Sequence, residues 1–415
     1  MFSASEIATI RDQFPALRRE QGGEPVVYLD GPAGAQVPQR VADAVTNYMF
    51  NHNANSGGAF VTSMESDALL EDAQAVMAAF YGTQDPDSIV FGPNMTSLTY
   101  AMSRSMAGIW RPGDEIIVSQ LDHDANVTPW LQAAKFAGVK VHQINVNPEN
   151  CTLDLDDYEK KLSERTRLVA VGLASNATGT VNPIRAIADR AHAVGAWVYV
   201  DAVHYAPHGL IDVDALGCDF LVSSAYKFFG PHVGILWGKR ELLESLPAHK
   251  LRPSGNDVPG RFMLGTPNLE GIAGSREAVH YLASLGAQKT DAQELRPQLV
   301  AAFQAIEGYE RMLAHRFLEA AHTWKDVRIW GITDPAEFDQ RVPTVSLTHT
   351  KVSPKQLSEA LAAEGIFTWY GNHYALPLTE AVGLEPDGTL RMGLLHYNTM
   401  DEVERLISAL AKHIS

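Results

Sequence analysis

Trp197-Val198-Tyr199-Val200-Asp201 is an apolar run that closes on a carboxylate, and Lys227 follows it in Ser223-Ser224-Ala225-Tyr226-Lys227-Phe228-Phe229-Gly230-Pro231. The first stretch reads as a buried strand that brings an acid to its carboxyl end. The second reads as a tight, Ser- and Gly-flanked turn that presents a lysine just after the next strand, Phe220-Leu221-Val222. Working outward, the same strand-then-helix rhythm recurs. Ser88 to Phe91, Glu115 to Ser119, Val139 to Val146 and Arg167 to Ala174 read as strands. Thr96 to Ala107, Pro129 to Ala137, Asp156 to Ser163 and Ile184 to Val194 read as the helices between them. Val233 to Trp237 extends the set. Continuous apolar strands alternating with helices predict an α/β fold, a mostly parallel seven-stranded-type sheet between helices.

The chain has 415 residues, too many for one small core, so two domains are expected. Residues 250–275 are rich in Gly, Pro and Asn without a clear period and predict a functional loop or interface element. Beyond a long helical segment at about 290–323 the rhythm changes. Strands Val327 to Trp330, Thr344 to Leu347 and Leu390 to Leu395, with helices Pro354 to Glu364 and Asp401 to His413, predict a small α+β unit. The predicted division is an N-terminal segment 1–25 that packs on the small domain, a large cofactor-binding domain 26–285 and a small C-terminal domain 286–415. Helix Val41 to Met49 is expected to join the N-terminal segment there.

Composition is that of a globular protein, 46% hydrophobic and 20% charged. With 33 basic and 49 acidic residues the net charge is −16, which argues against nucleic acid or an anionic membrane as partner. Only Cys151 and Cys218 are present, so no disulfide framework is expected. The start, Met1-Phe2-Ser3-Ala4-Ser5-Glu6-Ile7, has no basic region followed by an apolar core, and no apolar run reaches membrane-spanning length. A cytoplasmic location is the expectation. No metal site is expected.

In open α/β sheets ligands bind beyond the carboxyl ends of the strands. Asn94-Met95-Thr96-Ser97, Asp122-His123-Asp124, Ser175-Asn176-Ala177-Thr178-Gly179, Asp201-Ala202-Val203-His204 and Ser223 to Lys227 all fall there. Each has a plainer reading alone: a helix cap, a loop histidine, a turn former, a surface lysine. Together they assemble one site for pyridoxal phosphate. Asn94 to Ser97 open a helix, whose free N–H groups and hydroxyls suit a phosphate. Asp201 suits a protonated pyridine nitrogen, and the Lys227 amine suits a Schiff base with the aldehyde.

With these motifs the chain resembles the class V, fold-type I pyridoxal-phosphate enzymes, specifically the cysteine desulfurase and selenocysteine lyase branch. The resemblance runs from Val27-Tyr28-Leu29-Asp30-Gly31-Pro32-Ala33-Gly34 to Arg391-Met392-Gly393-Leu394-Leu395-His396-Tyr397-Asn398-Thr399. It implies Lys227 as Schiff-base lysine and proton shuttle, and Asp201 as partner of the ring nitrogen. It implies His123 stacked on the ring and Asn176 near the ring oxygen, with His204 standing where desulfurases carry Gln. Met95 (through its amide), Thr96 and Ser224 would hold the phosphate. Tyr226 replaces a family His there. Thr266, in Gly265-Thr266-Pro267-Asn268, would reach the phosphate of a neighbouring subunit, which implies a homodimer. Arg391 would bind the substrate carboxylate, and Asn372 and Tyr374 would stand on the substrate side.

The resemblance breaks at Gly371-Asn372-His373-Tyr374-Ala375-Leu376-Pro377. Desulfurases carry a cysteine where Tyr374 stands, and a phenol cannot accept sulfur as a thiolate does. Neither Cys151 nor Cys218 has a family role, and Trp369-Tyr370 replaces an expected second arginine. Trp369, Tyr370, Tyr374, His204 and His208 suggest a substrate side chain bulkier than that of cysteine, or plain packing under the small domain. The prediction is therefore a lyase that cleaves a Cβ–S or related Cβ–X bond of an amino acid without a persulfide carrier. An aminotransferase or epimerase on the same scaffold is the alternative. A non-catalytic cofactor-binding protein is a third reading, against which Lys227, Asp201, His123 and Arg391 weigh.

Overall fold

The computed structural model describes residues 1–414. Seven strands pair into one sheet. Across it the strands are Ile89–Gly92, Gly234–Gly238, Phe220–Ser224, Trp197–Asp201, Thr166–Gly172, Glu115–Ser119 and Lys140–Ile144. The central ones are buried along nearly their whole length, as a sheet covered by helices on both faces requires. Neighbours from Phe220–Ser224 to Lys140–Ile144 run parallel. Gly234–Gly238 is antiparallel to both of its neighbours, so the sheet is mixed. The reversal has a local cause. Residues 225–233 are too short for a crossover helix, so the chain turns back as a hairpin, and Lys227 rides in that connection.

The strand order reverses between Glu115–Ser119 and Thr166–Gly172, which are adjacent in space although Lys140–Ile144 lies between them in the chain. The loops leaving these two strands diverge and open a crevice at their carboxyl ends. Helix Met95–Ala107 points its N-terminus at the same crevice. Its cap, Asn94, accepts a hydrogen bond from the Ser97 N–H at 2.8 Å.

A second, four-stranded antiparallel sheet holds Val327–Trp330, Thr344–His349, Thr389–Gly393 and Trp369–Gly371 in that order. Within it Arg391 lies opposite Ser346 on one side and Trp369 on the other. Helix Pro354–Ala363 packs on this sheet, the C-terminal helix Met400–Ile414 packs on that helix, and helix Leu295–Ala321 packs on Met400–Ile414. The N-terminal segment reaches them. Arg11 donates to the Tyr397 carbonyl at 2.6 Å and pairs with Glu402, and Phe14 packs edge-on against Tyr397.

Two details depart from expectation. Helix Gln39–Asn51 packs on helix Leu269–Ala287, with Arg40 2.5 Å from Glu277, and not on the C-terminal sheet. The stretch expected as loop to residue 275 becomes helical at Leu269, capped by the Asn268 side chain. Its glycines hide the period because they are contact points. A Cβ at Gly274 would stand 2.7 Å from Val45, and one at Gly286 would stand 1.9 Å from the Gln298 carbonyl. No helix among the described residues is long and apolar enough to cross a membrane.

Candidate active site

The crevice at the strand ends is a cleft of about 560 Å3. Met95, Thr96, His123, Asn176, Asp201, His204, Ser224, Tyr226 and Lys227 all line it, so nine residues from five separate strand-end segments meet in one place. Lys227 is buried. Its Nζ donates to the Pro32 carbonyl and, at 3.0 Å, to the Ala33 carbonyl. Burial lowers its pKa to about 7, with the nearby Arg391 charge adding to the shift and Asp201 and Asp30 opposing it. A lysine of this kind is a usable base and nucleophile near neutrality.

Asp201 is held by the Val203 N–H at 2.9 Å. Burial raises its pKa to about 6, against that hydrogen bond and the pull of Lys227. A cationic group placed beside it would draw the carboxyl back to its ionised form. Beneath it lies Asp122, a residue that the sequence places at a strand end without suggesting a role. Its Oδ1 accepts the Gly172 N–H at 2.5 Å, and its Oδ2 accepts from Asn126 at 3.3 Å. Burial, and then the Asp201 charge, hold the Asp122 carboxyl well above its usual range. Asp122 thus ties the two strand ends that flank the crevice and fixes the loop from which His123 projects.

His123 Nδ1 accepts the Ala125 N–H at 3.0 Å, which puts the ring proton on Nε2. Burial, then Lys227 and Arg391, lowers its pKa to about 4, so the ring is neutral. His204 is also buried, with Nε2 2.9 Å from Thr344 Oγ1, which leaves Nδ1 for a ligand in the cleft. At the anion end the Met95 N–H donates to Ser224 Oγ at 2.9 Å. That bond engages the amide expected on the phosphate, and it leaves the Ser224 hydroxyl proton and the Thr96 donors for an anion at the helix N-terminus. Tyr226 stacks on His232 at 4.9 Å between ring centres, and Lys227 Nζ lies 5.0 Å from the Tyr226 ring centre.

The C-terminal unit supplies the roof. Arg391 is buried and donates from Nη1 to the Asn176 carbonyl at 2.9 Å. The loop 371–375 is fastened across the cleft by its backbone. Asn176 Nδ2 donates to the His373 carbonyl at 2.7 Å, and the Asp124 N–H donates to the Tyr374 carbonyl at 2.7 Å. Asn372 Oδ1 accepts the Tyr374 N–H at 3.1 Å, so Asn372 shapes the loop from within. His373 and Tyr374 both take positive φ, +56° and +58°, a conformation that side chains rarely adopt. His373, which sequence reasoning passed over, anchors the turn through Nε2 on Thr389 Oγ1 at 3.0 Å. The Tyr374 ring is 72% exposed and stacks on His123 at 5.5 Å and 16°.

Thr266 lies elsewhere. It is exposed and lines a separate cleft with Pro93, His232 and Met263, outside the cleft of its own chain. Both cysteines are remote from these groups and fully buried. Burial pushes the Cys151 thiol up to about 11 and raises Cys218 as well.

The residues present fit pyridoxal phosphate. A carboxyl awaits a cationic partner, a lysine sits in a sharp hairpin, and a helix N-terminus offers hydroxyls. Asn176 Oδ1 is buried without a hydrogen-bond partner, an acceptor left for a ligand group. The family description "Aminotransferase class-V" matches residues 27–406. The chain is 32% identical over 419 residues to a probable cysteine desulfurase of Vibrio cholerae, with 98% of each covered. It is 33% identical over 420 residues to the aminotransferase-like protein FGM3 of Gibberella zeae, again with 98% of each covered. Among solved structures, a cysteine desulfurase from Thermococcus onnurineus superposes with a TM-score of 0.87 at 25% identity, covering 100% of this chain and 98% of that one. Fold, strand-end site and a match along nearly the whole length agree: the chain belongs to the class-V aminotransferase family, whose members use pyridoxal phosphate, and within it is cysteine desulfurase-like.

Proposed function

We propose that the protein is a pyridoxal-phosphate lyase that cleaves a Cβ–S or related Cβ–X bond of an amino acid and carries no persulfide on itself. The observation that carries this reading is Tyr374. By the family resemblance it would stand where desulfurases bear cysteine; it lies on a loop fastened over the cleft, and both thiols of the chain are fully buried.

Lys227 and Asp201 would hold the cofactor from two sides, with Thr96, Ser224 and the Met95 end of the helix around its phosphate and His123, His204 and Asn176 around its ring. The bound cofactor supplies an aldehyde that condenses with amines and a ring that accepts the electron pair released at Cα. Arg391 binds and orients the substrate carboxylate, as a buried guanidinium with donors to spare. Lys227, with its pKa lowered to about 7, takes the Cα proton. The Cβ–X bond then breaks with its electron pair on X, which leaves and takes up a proton. Water releases the 2-keto acid and ammonia. Trp369, opposite Arg391 on the neighbouring strand, and Tyr374, over His123, form two aromatic walls that suit a side chain bulkier than that of cysteine.

The second reading, an aminotransferase or epimerase, draws support from the 33% identity to an aminotransferase-like protein. Products decide between them. Ammonia and a keto acid formed without an amino acceptor support elimination, whereas cofactor converted to its amine form and restored by a keto acid supports transamination. Lys227→Ala abolishes either activity, and turnover in that variant would sink the mechanism. Mass spectrometry after incubation with cysteine finds no persulfide on Cys151 or Cys218; its detection would restore a desulfurase.

The functional unit in this reading is a homodimer in which Thr266 reaches the partner's phosphate site. Met49, Phe50, Phe60, Val61, Met64 and Leu264 are each more than half exposed, an apolar surface that a second copy would cover.

A further inference from the structure

The turn Asp30-Gly31-Pro32-Ala33 joins the two cations of the site, Lys227 and Arg391. Lys227 Nζ donates to the Pro32 and Ala33 carbonyls, and the turn closes on itself through the Ala33 N–H, which donates to the Asp30 carbonyl at 2.7 Å. On its other side the turn docks on the strand Thr389–Gly393 that carries Arg391. Asp30 pairs with Gly393 in a parallel bridge, and the Gly393 N–H donates to the Leu29 carbonyl at 2.9 Å. A Cβ at Gly393 would collide with the Pro32 ring, so glycine lets the turn come this close.

The register sets the side on which the Asp30 carboxyl lies. Residues paired across a ladder project to one face, and so do residues two apart on one strand. Asp30 therefore shares a face with Arg391, one diagonal step away and within reach of a long side chain. Lys227 and Arg391 spend their hydrogen bonds on the carbonyls of Pro32, Ala33 and Asn176, so neither bonds to Asp30 directly. Asp30 Oδ1 is buried without a hydrogen-bond partner. Burial raises this carboxyl to about 6, against its own N–H and the charges of Arg391 and Lys227. In turn Asp30 opposes the burial that lowers Arg391 to about 9 and Lys227 to about 7. The other titratable group near Asp30 is the Tyr397 phenol, which burial keeps neutral. A carboxyl oxygen with no donor, beside two cations that bond elsewhere, serves as a counter-charge and does not brace the turn.

We propose that Asp30 is a positioning residue, the internal counter-charge of Arg391 and Lys227, and that the substrate carboxylate supplants it at Arg391. This rests on Arg391 being the carboxylate site of the reaction proposed above. Two consequences follow from the signs of the charges. Asp30 competes with the substrate for the guanidinium and so weakens carboxylate binding. Once a carboxylate occupies Arg391, it cancels the positive charge that disfavours a proton on Lys227, and Asp30 is left to favour that proton. Recognition of the carboxylate thereby raises the proton affinity of the group that takes the Cα proton.

The test uses the full chain loaded with pyridoxal phosphate and 3-phenylpropionate, a carboxylate with no amine to react with the cofactor. Calorimetry should give saturable binding that is lost in Arg391→Ala. In Asp30→Asn, which removes the competing charge and keeps the shape, affinity should rise by about threefold or more. A residue that only braced the turn would have the opposite effect when replaced. The pH midpoint of the cofactor's visible absorbance follows the proton on the Lys227 nitrogen. It should fall by about 0.5 pH or more in Asp30→Asn, and it should rise in wild type as the carboxylate saturates. The wild-type measurement decides even if the variant fails to fold. Affinity unchanged or weakened in Asp30→Asn, or a wild-type midpoint that the carboxylate does not move, would overturn the proposal while leaving Arg391 as the carboxylate site. No binding to wild type would overturn both.

Discussion

Replacing Lys227 by Met in protein prepared without cofactor should raise stability at pH 7 and progressively less as pH rises from there. Burial, aided by the charge of Arg391, lowers the lysine pKa to about 7. The unfolded chain keeps it near ~10.4. Between pH 7 and pH 9 the unfolded lysine therefore holds almost one proton more than the folded one, and wild-type stability climbs with pH across that window. Below it the full penalty for burying the charged form is in force. At about 1.4 kcal/mol per pKa unit, and with the folded lysine already half titrated at pH 7, the wild type gains about 2 kcal/mol from pH 7 to pH 9. Lys227→Met has no such term. Its loss of the bonds to the Pro32 and Ala33 carbonyls costs about 1–3 kcal/mol at every pH, because those acceptors stay buried. Urea unfolding of both proteins at pH 7, 8 and 9 measures the difference. The stability of the variant relative to wild type should fall by about 2 kcal/mol over the series. A difference that stays flat with pH would refute the claim that burial holds this lysine part-neutral.

Three further outcomes follow from the same geometry. In native protein neither Cys151 nor Cys218 should react with a thiol reagent over minutes, while both react in denaturant; fast native labelling of either would contradict their burial. If a substrate side chain packs on the Tyr374 ring with the about 0.5–1.5 kcal/mol of an aromatic contact, Tyr374→Ala should raise KM roughly two- to twelvefold while the cofactor stays bound, and an unchanged KM would count against an aromatic wall. Asn176→Leu leaves the His373 carbonyl unpaired, so amide exchange should quicken across 371–375 and the Asp124 amide; unchanged protection there would mean that the loop is held by something else.

Much of the parallel core can be read without coordinates, because strands such as Trp197–Asp201 and Glu115–Ser119 are continuous apolar runs bounded by polar turns. Strand direction cannot be read this way. Gly234–Gly238 is as buried as the parallel strands of the sheet, and only the short 225–233 connection betrays its reversal. Helix Leu269–Ala287 escapes a periodicity reading since Gly271, Gly274 and Gly286 sit where other segments of the chain press closest. In the site, residues at strand ends are legible because topology gathers them at one edge. Asp122 is legible in position but not in role, since its partner, the Gly172 amide, is a backbone group with no sequence signature. The contact between His208 and Glu310 joins residues 102 positions apart, on a hairpin-like turn and a long helix, and nothing local in either segment announces the other.

The roof loop is fastened through the carbonyls of His373 and Tyr374 and through the shape that Asn372 imposes, not through the ring of residue 374. The backbone grip therefore does not need the ring of residue 374, which adds a stack on His123, but it does need a residue that tolerates a positive φ, which disfavours β-branched types. Position 374 works as an interchangeable tip on a fixed holder. A change of side chain at the tip would therefore alter what meets a ligand above His123 while the backbone grip of the loop on Asn176 and Asp124 stays in place.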